Sequence, residues 1–183
     1  LGFLHVNICS LLNSKNFDNL KSLVHTTNPD VLAISESWLK KRNTDLDILI
    51  PGYNVFRQDR ATRGGGVAMY VKDHLQCTVA LSKSVPKQFE LLILKLRLST
   101  TFSLSVAVCY RAPSAPASAL TALSQLLAPH ICSEFVLLGD LNWDMINPPD
   151  TVLQQFDALN LTQIISEPTR PNPKSFSSST LID

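Results

Sequence analysis

A chain of 183 residues is long enough to bury one real core. Its 45% apolar and 17% charged content excludes a disordered segment, and a net charge of +1 excludes capture of nucleic acid by an overall field. No stretch is long and apolar enough to span a bilayer, and the start lacks the basic region and cleavage site of a signal peptide. The four cysteines (Cys9, Cys77, Cys109, Cys132) are scattered and contain no Cys-x-x-Cys pair. Cys9 and Cys109 lie in apolar runs and are expected to be buried, reduced thiols of a reducing, nuclear or cytoplasmic compartment. The chain has no Met at its start and stops within an apolar alternation at Asp183, so both ends read as cuts from a longer polypeptide.

In chain order, residues 2–9 read as a strand ending at Asn7 and Ser10. Phe17, Leu20, Leu23 and Val24 fall on one face of a helix over 16–26, stopped at Asn28-Pro29. Val31 to Ile34 is a short buried strand followed by Glu36. Two strands joined by a helix lie parallel, so Asn7 and Glu36 are expected at the same edge. Lys40-Lys41-Arg42 reads as a solvated basic face. Tyr53 to Arg57 and Val67 to Val71 read as strands around Arg57, Arg60, Arg63 and Gly64-Gly65-Gly66. The glycines match no Walker or dinucleotide fingerprint and read as a flexible turn. The arginines fit either phosphate contact or a soluble surface loop.

Leu91 to Leu98 and Phe102 to Tyr110 form a hairpin, with Tyr110 and Arg111 at its end. Ser114 to His130 reads as an amphipathic helix with Ser114 as N-cap. Phe135 to Leu138 is a buried strand, and Gly139 follows it where the backbone has to pass close to something. Asp140 and Asn142, two residues apart at the strand mouth, suit a site that takes a proton from water and holds an anionic oxygen, but they also suit a turn. A helix carrying Val152, Leu153, Phe156 and Leu159 follows, then a strand over 161–165 and a proline-stiffened loop over 167–173. This order fits a two-sheet sandwich with helices outside.

The constellation Asn7, Glu36, Tyr110, Asp140 and Asn142, each at a strand end, resembles the endonuclease/exonuclease/phosphatase superfamily, which includes DNase I, the apurinic/apyrimidinic endonucleases and the inositol-polyphosphate 5-phosphatases. The local strings His5-Val6-Asn7-Ile8-Cys9-Ser10-Leu11, Ser35-Glu36-Ser37-Trp38-Leu39, Arg63-Gly64-Gly65-Gly66-Val67-Ala68, Tyr110-Arg111-Ala112-Pro113 and Gly139-Asp140-Leu141-Asn142-Trp143-Asp144 are similar to the endonuclease domain of non-LTR (LINE-type) retrotransposon proteins. Glu167-Pro168-Thr169-Arg170 and Ser179-Thr180-Leu181-Ile182-Asp183 fit its later segments.

The resemblance implies one partial domain over 1–183 with a four-layered α/β sandwich: two mixed β-sheets packed face to face with helices outside, incomplete at the C-terminus. It implies a monomeric, metal-dependent phosphodiester hydrolase with no membrane partner. Glu36 and Asn7 would hold Mg²⁺ (or Mn²⁺), and Asp140 would orient or deprotonate water. Asn142, Tyr110 and Arg111 would bind substrate phosphate, with Thr169 and Asp183 assisting. The partners implied are DNA and a reverse transcriptase domain on the same polypeptide, primed by the 3′ hydroxyl of the nick. The chain lacks the histidine that follows the position of Asp183 in the family, so as it stands it is expected to be weakly active or inactive. The alternatives are a phosphatase of a small or lipid phosphoester, and an inactive truncated remnant.

Overall fold

The computed structural model describes residues 1–131, 134–169 and 181. The first sheet has the order β1-β2-β4-β3: β1 (Phe3–Asn7), β2 (Val31–Ser35), β3 (Tyr53–Gln58) and β4 (Val67–Lys72). β1 and β2 are parallel, with Asn7 opposite Ser35, as a strand–helix–strand crossover requires. Helix α1 (Ser14–Thr27) makes that crossover. Its N-cap is Asn13, whose side chain accepts the Asn16 N–H at 3.1 Å. It stops where expected, and the device is Asn28 in the left-handed region (φ 47°), returning its N–H to the Val24 carbonyl.

The second sheet has the order β5-β6-β7-β8: β5 (Gln76–Val85), β6 (Phe89–Arg97), β7 (Ser103–Arg111) and β8 (Phe135–Asp140). β6 and β7 are the expected antiparallel hairpin, and β7 and β8 are parallel, joined through α2 (Ser118–Leu127). Strand alternation sorts the core into layers. Val31, Ala33 and Met69 of the first sheet meet Leu92, Leu94, Val106 and Val108 of the second. Leu32, Ile34 and Tyr70 face outward onto Leu20 and Val24 of α1. Leu91, Ile93 and Ala107 face outward onto Ala119, Leu123 and Leu127 of α2. Each Val, Leu, Ile or Met side chain among these contributes about 1.5–3 kcal/mol on burial. Helix α3 (Asp150–Ala158) packs Val152 and Phe156 against Leu120. Two four-stranded mixed sheets with helices outside make the α/β sandwich expected. No helix among the described residues is long and apolar enough to cross a membrane.

Several expectations are corrected. Residues 161–165 form no strand, and Ile164 is 83% exposed. Ser114 does not cap α2, which begins at Ser118 after a turn closed by Ala115 N–H on Ala112 O, with no side-chain cap. β5 was not anticipated: its alternation is blurred by Thr78, Ser82 and Lys83, the polar facing of an edge strand. Cys109 is buried as expected, and burial pushes its thiol well up, but Cys9 is exposed.

Gly139 sits at φ 137° opposite Cys109. A Cβ there would lie 1.9 Å from the Cys109 carbonyl oxygen, so the close approach is to the neighbouring strand. That oxygen is backbone and cannot step aside. Gly139→Ala is therefore expected to lower the unfolding free energy by about 3 kcal/mol or more, read as the shift in urea midpoint at constant slope.

Candidate active site

β1 and β8 are the edge strands of their sheets among the described residues, and they touch across the sandwich with their C-terminal ends together. The loops beyond β1 and β2 continue the pairing: Ile8, Ser10 and Leu11 N–H groups donate to the carbonyls of Ser35, Glu36 and Ser37. The turn takes Cys9 (φ 48°) and Ser10 (φ 95°) through left-handed backbone. Asn16 of α1 donates its amide to the Ile8 and Cys9 carbonyls at 2.9 and 3.2 Å, so the helix start holds the turn. On the other side, Ser37 and Trp38 N–H groups donate to the Gly66 and Gly65 carbonyls. Glu36 (φ 52°) and Trp38 (φ 55°) are fixed in a strained backbone by these bonds.

Two carboxylates meet on this rim. The Asn7 Nδ2 amide donates to Glu36 Oε1 at 3.1 Å and to Asp140 Oδ2 at 2.7 Å. Glu36 Oε2 accepts the Trp38 indole N–H at 3.1 Å, and the Cys9 thiol lies 3.9 Å away. Asp140 is only 2% exposed, and its Oδ1 accepts the Asn142 N–H at 3.0 Å. Asn142 itself is left-handed (φ 50°) and donates its side-chain amide to the Arg111 carbonyl at 2.7 Å.

Tyr110 is the register partner of Asp140. Burial pushes its phenol up to about 12, with the negative charge of Glu36 adding to the rise and Arg60 opposing it. The ring is therefore a neutral hydrogen-bond donor at neutral pH.

Arg111 behaves differently from a surface phosphate ligand. It is 6% exposed, its guanidinium donates to the carbonyls of Leu141, Asn142 and Ala115, and it stacks on Trp143 at 4.2 Å. Burial lowers its basicity. It holds the loop that carries Asn142. Of the three arginines near the glycine turn, Arg57 pairs with Asp45 (3.3 Å) and Asp59 (3.7 Å), Arg60 pairs with Glu90 (2.8 Å), and Arg63 is exposed. Lys40 is tied to the Arg60 and Thr62 carbonyls, whereas Lys41 and Arg42 are the expected solvated face.

The carboxylates of Glu36 and Asp140, bridged by the Asn7 Nδ2 amide, are hard oxygen donors. Among the described residues no three His, Cys, Asp or Glu side chains are grouped so as to hold a metal ion by themselves. That donor set fits Mg²⁺ or Mn²⁺, which keep waters and share a substrate phosphate, better than Zn²⁺. The structure thus brings together Asn7, Glu36, Asp140, Asn142 and Tyr110. Thr169 is exposed at the end of a described stretch, and Asp183 lies outside the described residues. Sequence reasoning missed Trp38, Asn16 and Glu90; only the Ser-Glu-Ser-Trp string placed one of them beside a site residue.

A model of the Endonuclease/Exonuclease/phosphatase family matches residues 4–181. The chain belongs to this family. No curated protein matches it by sequence. Among solved structures, an AP endonuclease from Archaeoglobus fulgidus is similar at 15% identity, a TM-score of 0.66, and coverage of 96% of this chain and 79% of that one. The 3′ phosphatase NExo from Neisseria, bound to a product DNA hairpin, is similar at 17% identity, a TM-score of 0.61, and coverage of 87% and 70%. The AP endonuclease LMAP from Leishmania major is similar at 18% identity and a TM-score of 0.55; the match covers 78% of this chain and 54% of that one. The chain thus spans about half the length of the Leishmania protein. At these identities the likeness carries the fold alone.

Because the folded state holds the Tyr110 proton more tightly than the unfolded chain does, its contribution to stability is complete below about pH 10 and is lost as pH rises toward about 12. Urea unfolding followed across that window should show a steeper fall for the native chain than for Tyr110→Phe. An equal slope in the two proteins would contradict the burial of the phenol.

Proposed function

We propose that the chain is the metal-dependent, DNA-nicking phosphodiesterase domain of a LINE-type retrotransposon polyprotein. The observation that carries this reading is the single Asn7 amide within 3.1 and 2.7 Å of two carboxylates, Glu36 and Asp140, at the joined ends of β1 and β8. Family membership supports hydrolysis of a phosphoester. The retrotransposon context rests on the motif strings alone, as does a reverse transcriptase on the same polypeptide.

In this reading Glu36, with Asn7 beside it, would hold Mg²⁺ or Mn²⁺, which would supply positive charge to offset that on the scissile phosphate and the leaving oxygen. Asp140, oriented by Asn7 and the Asn142 N–H, takes a proton from the attacking water. The water oxygen bonds to phosphorus, and the bond from phosphorus to the 3′ oxygen breaks. That oxygen takes up a proton, leaving a 3′ hydroxyl and a 5′ phosphate. One hydrogen of the Asn142 amide goes to Arg111 O, and the other suits a phosphate oxygen. The neutral Tyr110 phenol donates to a second phosphate oxygen, so both donors favour the more highly charged transition state.

Relaxation of supercoiled plasmid with Mg²⁺ tests the reading, on a polypeptide extended past Asp183 through the histidine that the resemblance implies. Nicked circles extendable by a polymerase are expected, with rates falling about 100-fold or more in Glu36→Ala and Asp140→Ala. Nicking that survives both substitutions would overturn the assignment of these residues. Release of phosphate from inositol or lipid phosphoesters in preference to DNA cleavage would overturn the substrate.

A further inference from the structure

We propose that Glu90 and Arg60 act as positioning residues, a buried charged clamp between the two sheets that sets Glu36 and Tyr110 at once. Glu90, on β6 of the second sheet, is fully buried. Its carboxylate is satisfied on both oxygens: Oε1 accepts Arg60 Nε at 2.8 Å and Ser84 Oγ at 3.2 Å, and Oε2 accepts the Gly66 N–H at 3.0 Å. Arg60 and Gly66 both belong to the loop between β3 and β4 of the first sheet, so one side chain ties that loop to the opposite sheet.

Two branches lead from the clamp to the site. Gly66, held through its N–H, presents its carbonyl to Ser37 N–H, while Gly65 presents its own to Trp38 N–H. Trp38 in turn donates its indole N–H to Glu36. In the second branch the Arg60 guanidinium lies over the Tyr110 ring, 5.2 Å from its centre. Gly65 makes room for it, because a Cβ there would lie 2.3 Å from the Arg60 guanidinium carbon. Arg60 Nη2 is buried and has no hydrogen-bond partner among the described residues. A ligand cannot reach that nitrogen, so this end of the guanidinium works by packing against its neighbours. The turn that reads as flexible in the sequence is a packed seat.

The inference rests on the metal-site reading above for its effect on catalysis, but its geometric claim can be tested without catalysis. Two variants of the extended polypeptide used for nicking serve: Glu90→Gln, which keeps shape and loses charge, and Arg60→Lys, which keeps the buried charge pair and loses the planar stack. The first readout is the Trp38 indole N–H resonance, distinguished from Trp143 by Trp143→Phe. The second is Mn²⁺ affinity by paramagnetic resonance, and the third is plasmid nicking. In variants whose β-sheet amide resonances stay native, the indole signal is expected to move. Mn²⁺ affinity and kcat are expected to fall about 10-fold or more, with KM changing less, as for other partners that orient a metal ligand. If either folded variant leaves the indole resonance and Mn²⁺ affinity at native values, the clamp is overturned. If Glu90→Gln does not fold, Arg60→Lys decides alone. If the unsubstituted extended polypeptide neither binds Mn²⁺ nor cuts DNA, the proposed function fails, and the indole shift still decides the clamp.

Discussion

Everything at the rim depends on one amide nitrogen. Asn7 Nδ2 stands between the carboxylates of Glu36 and Asp140, which come from different sheets. Two like charges this close repel, and the repulsion is tolerable only where donors face both of them. Asn7 supplies a donor to each, the Trp38 indole supplies a second to Glu36, and the Asn142 N–H supplies a second to Asp140. The sandwich makes this possible because β1 and β8 end side by side. A slip of either strand by one residue would turn its last side chain to the other face and separate the pair.

Much of this was legible in the sequence, for particular reasons. The β1–α1–β2 crossover has one handedness and one strand direction, so Asn7 and Glu36 were bound to share an edge. Gly139 announced a close approach, and the neighbour turned out to be the Cys109 carbonyl. The strands β2, β6 and β7 followed from their apolar-rich runs.

What stayed hidden was set by tertiary pairing. Glu90 interrupts an apolar strand start and looks like a surface charge until Arg60 is found 30 residues away in sequence. Arg111 carries the same signal whether it faces phosphate or loop carbonyls, and burial decides between them. Cys9 sits in an apolar run, yet the left-handed turn swings it outward. β5 and the irregular 161–165 stretch show the two opposite errors of reading periodicity alone: a polar edge strand is overlooked, and a short, largely exposed run is promoted.

The left-handed backbone at Glu36, Trp38 and Asn142 restricts what can replace these residues independently of their chemistry. β-branched side chains are barred there whatever their polarity, and asparagine, aspartate or glycine fit the backbone most readily. Drift at these three places is thus filtered first by shape and only then by charge. A lineage that lost its chemistry would keep the imprint of the old curve in the small palette of residues it could still accept.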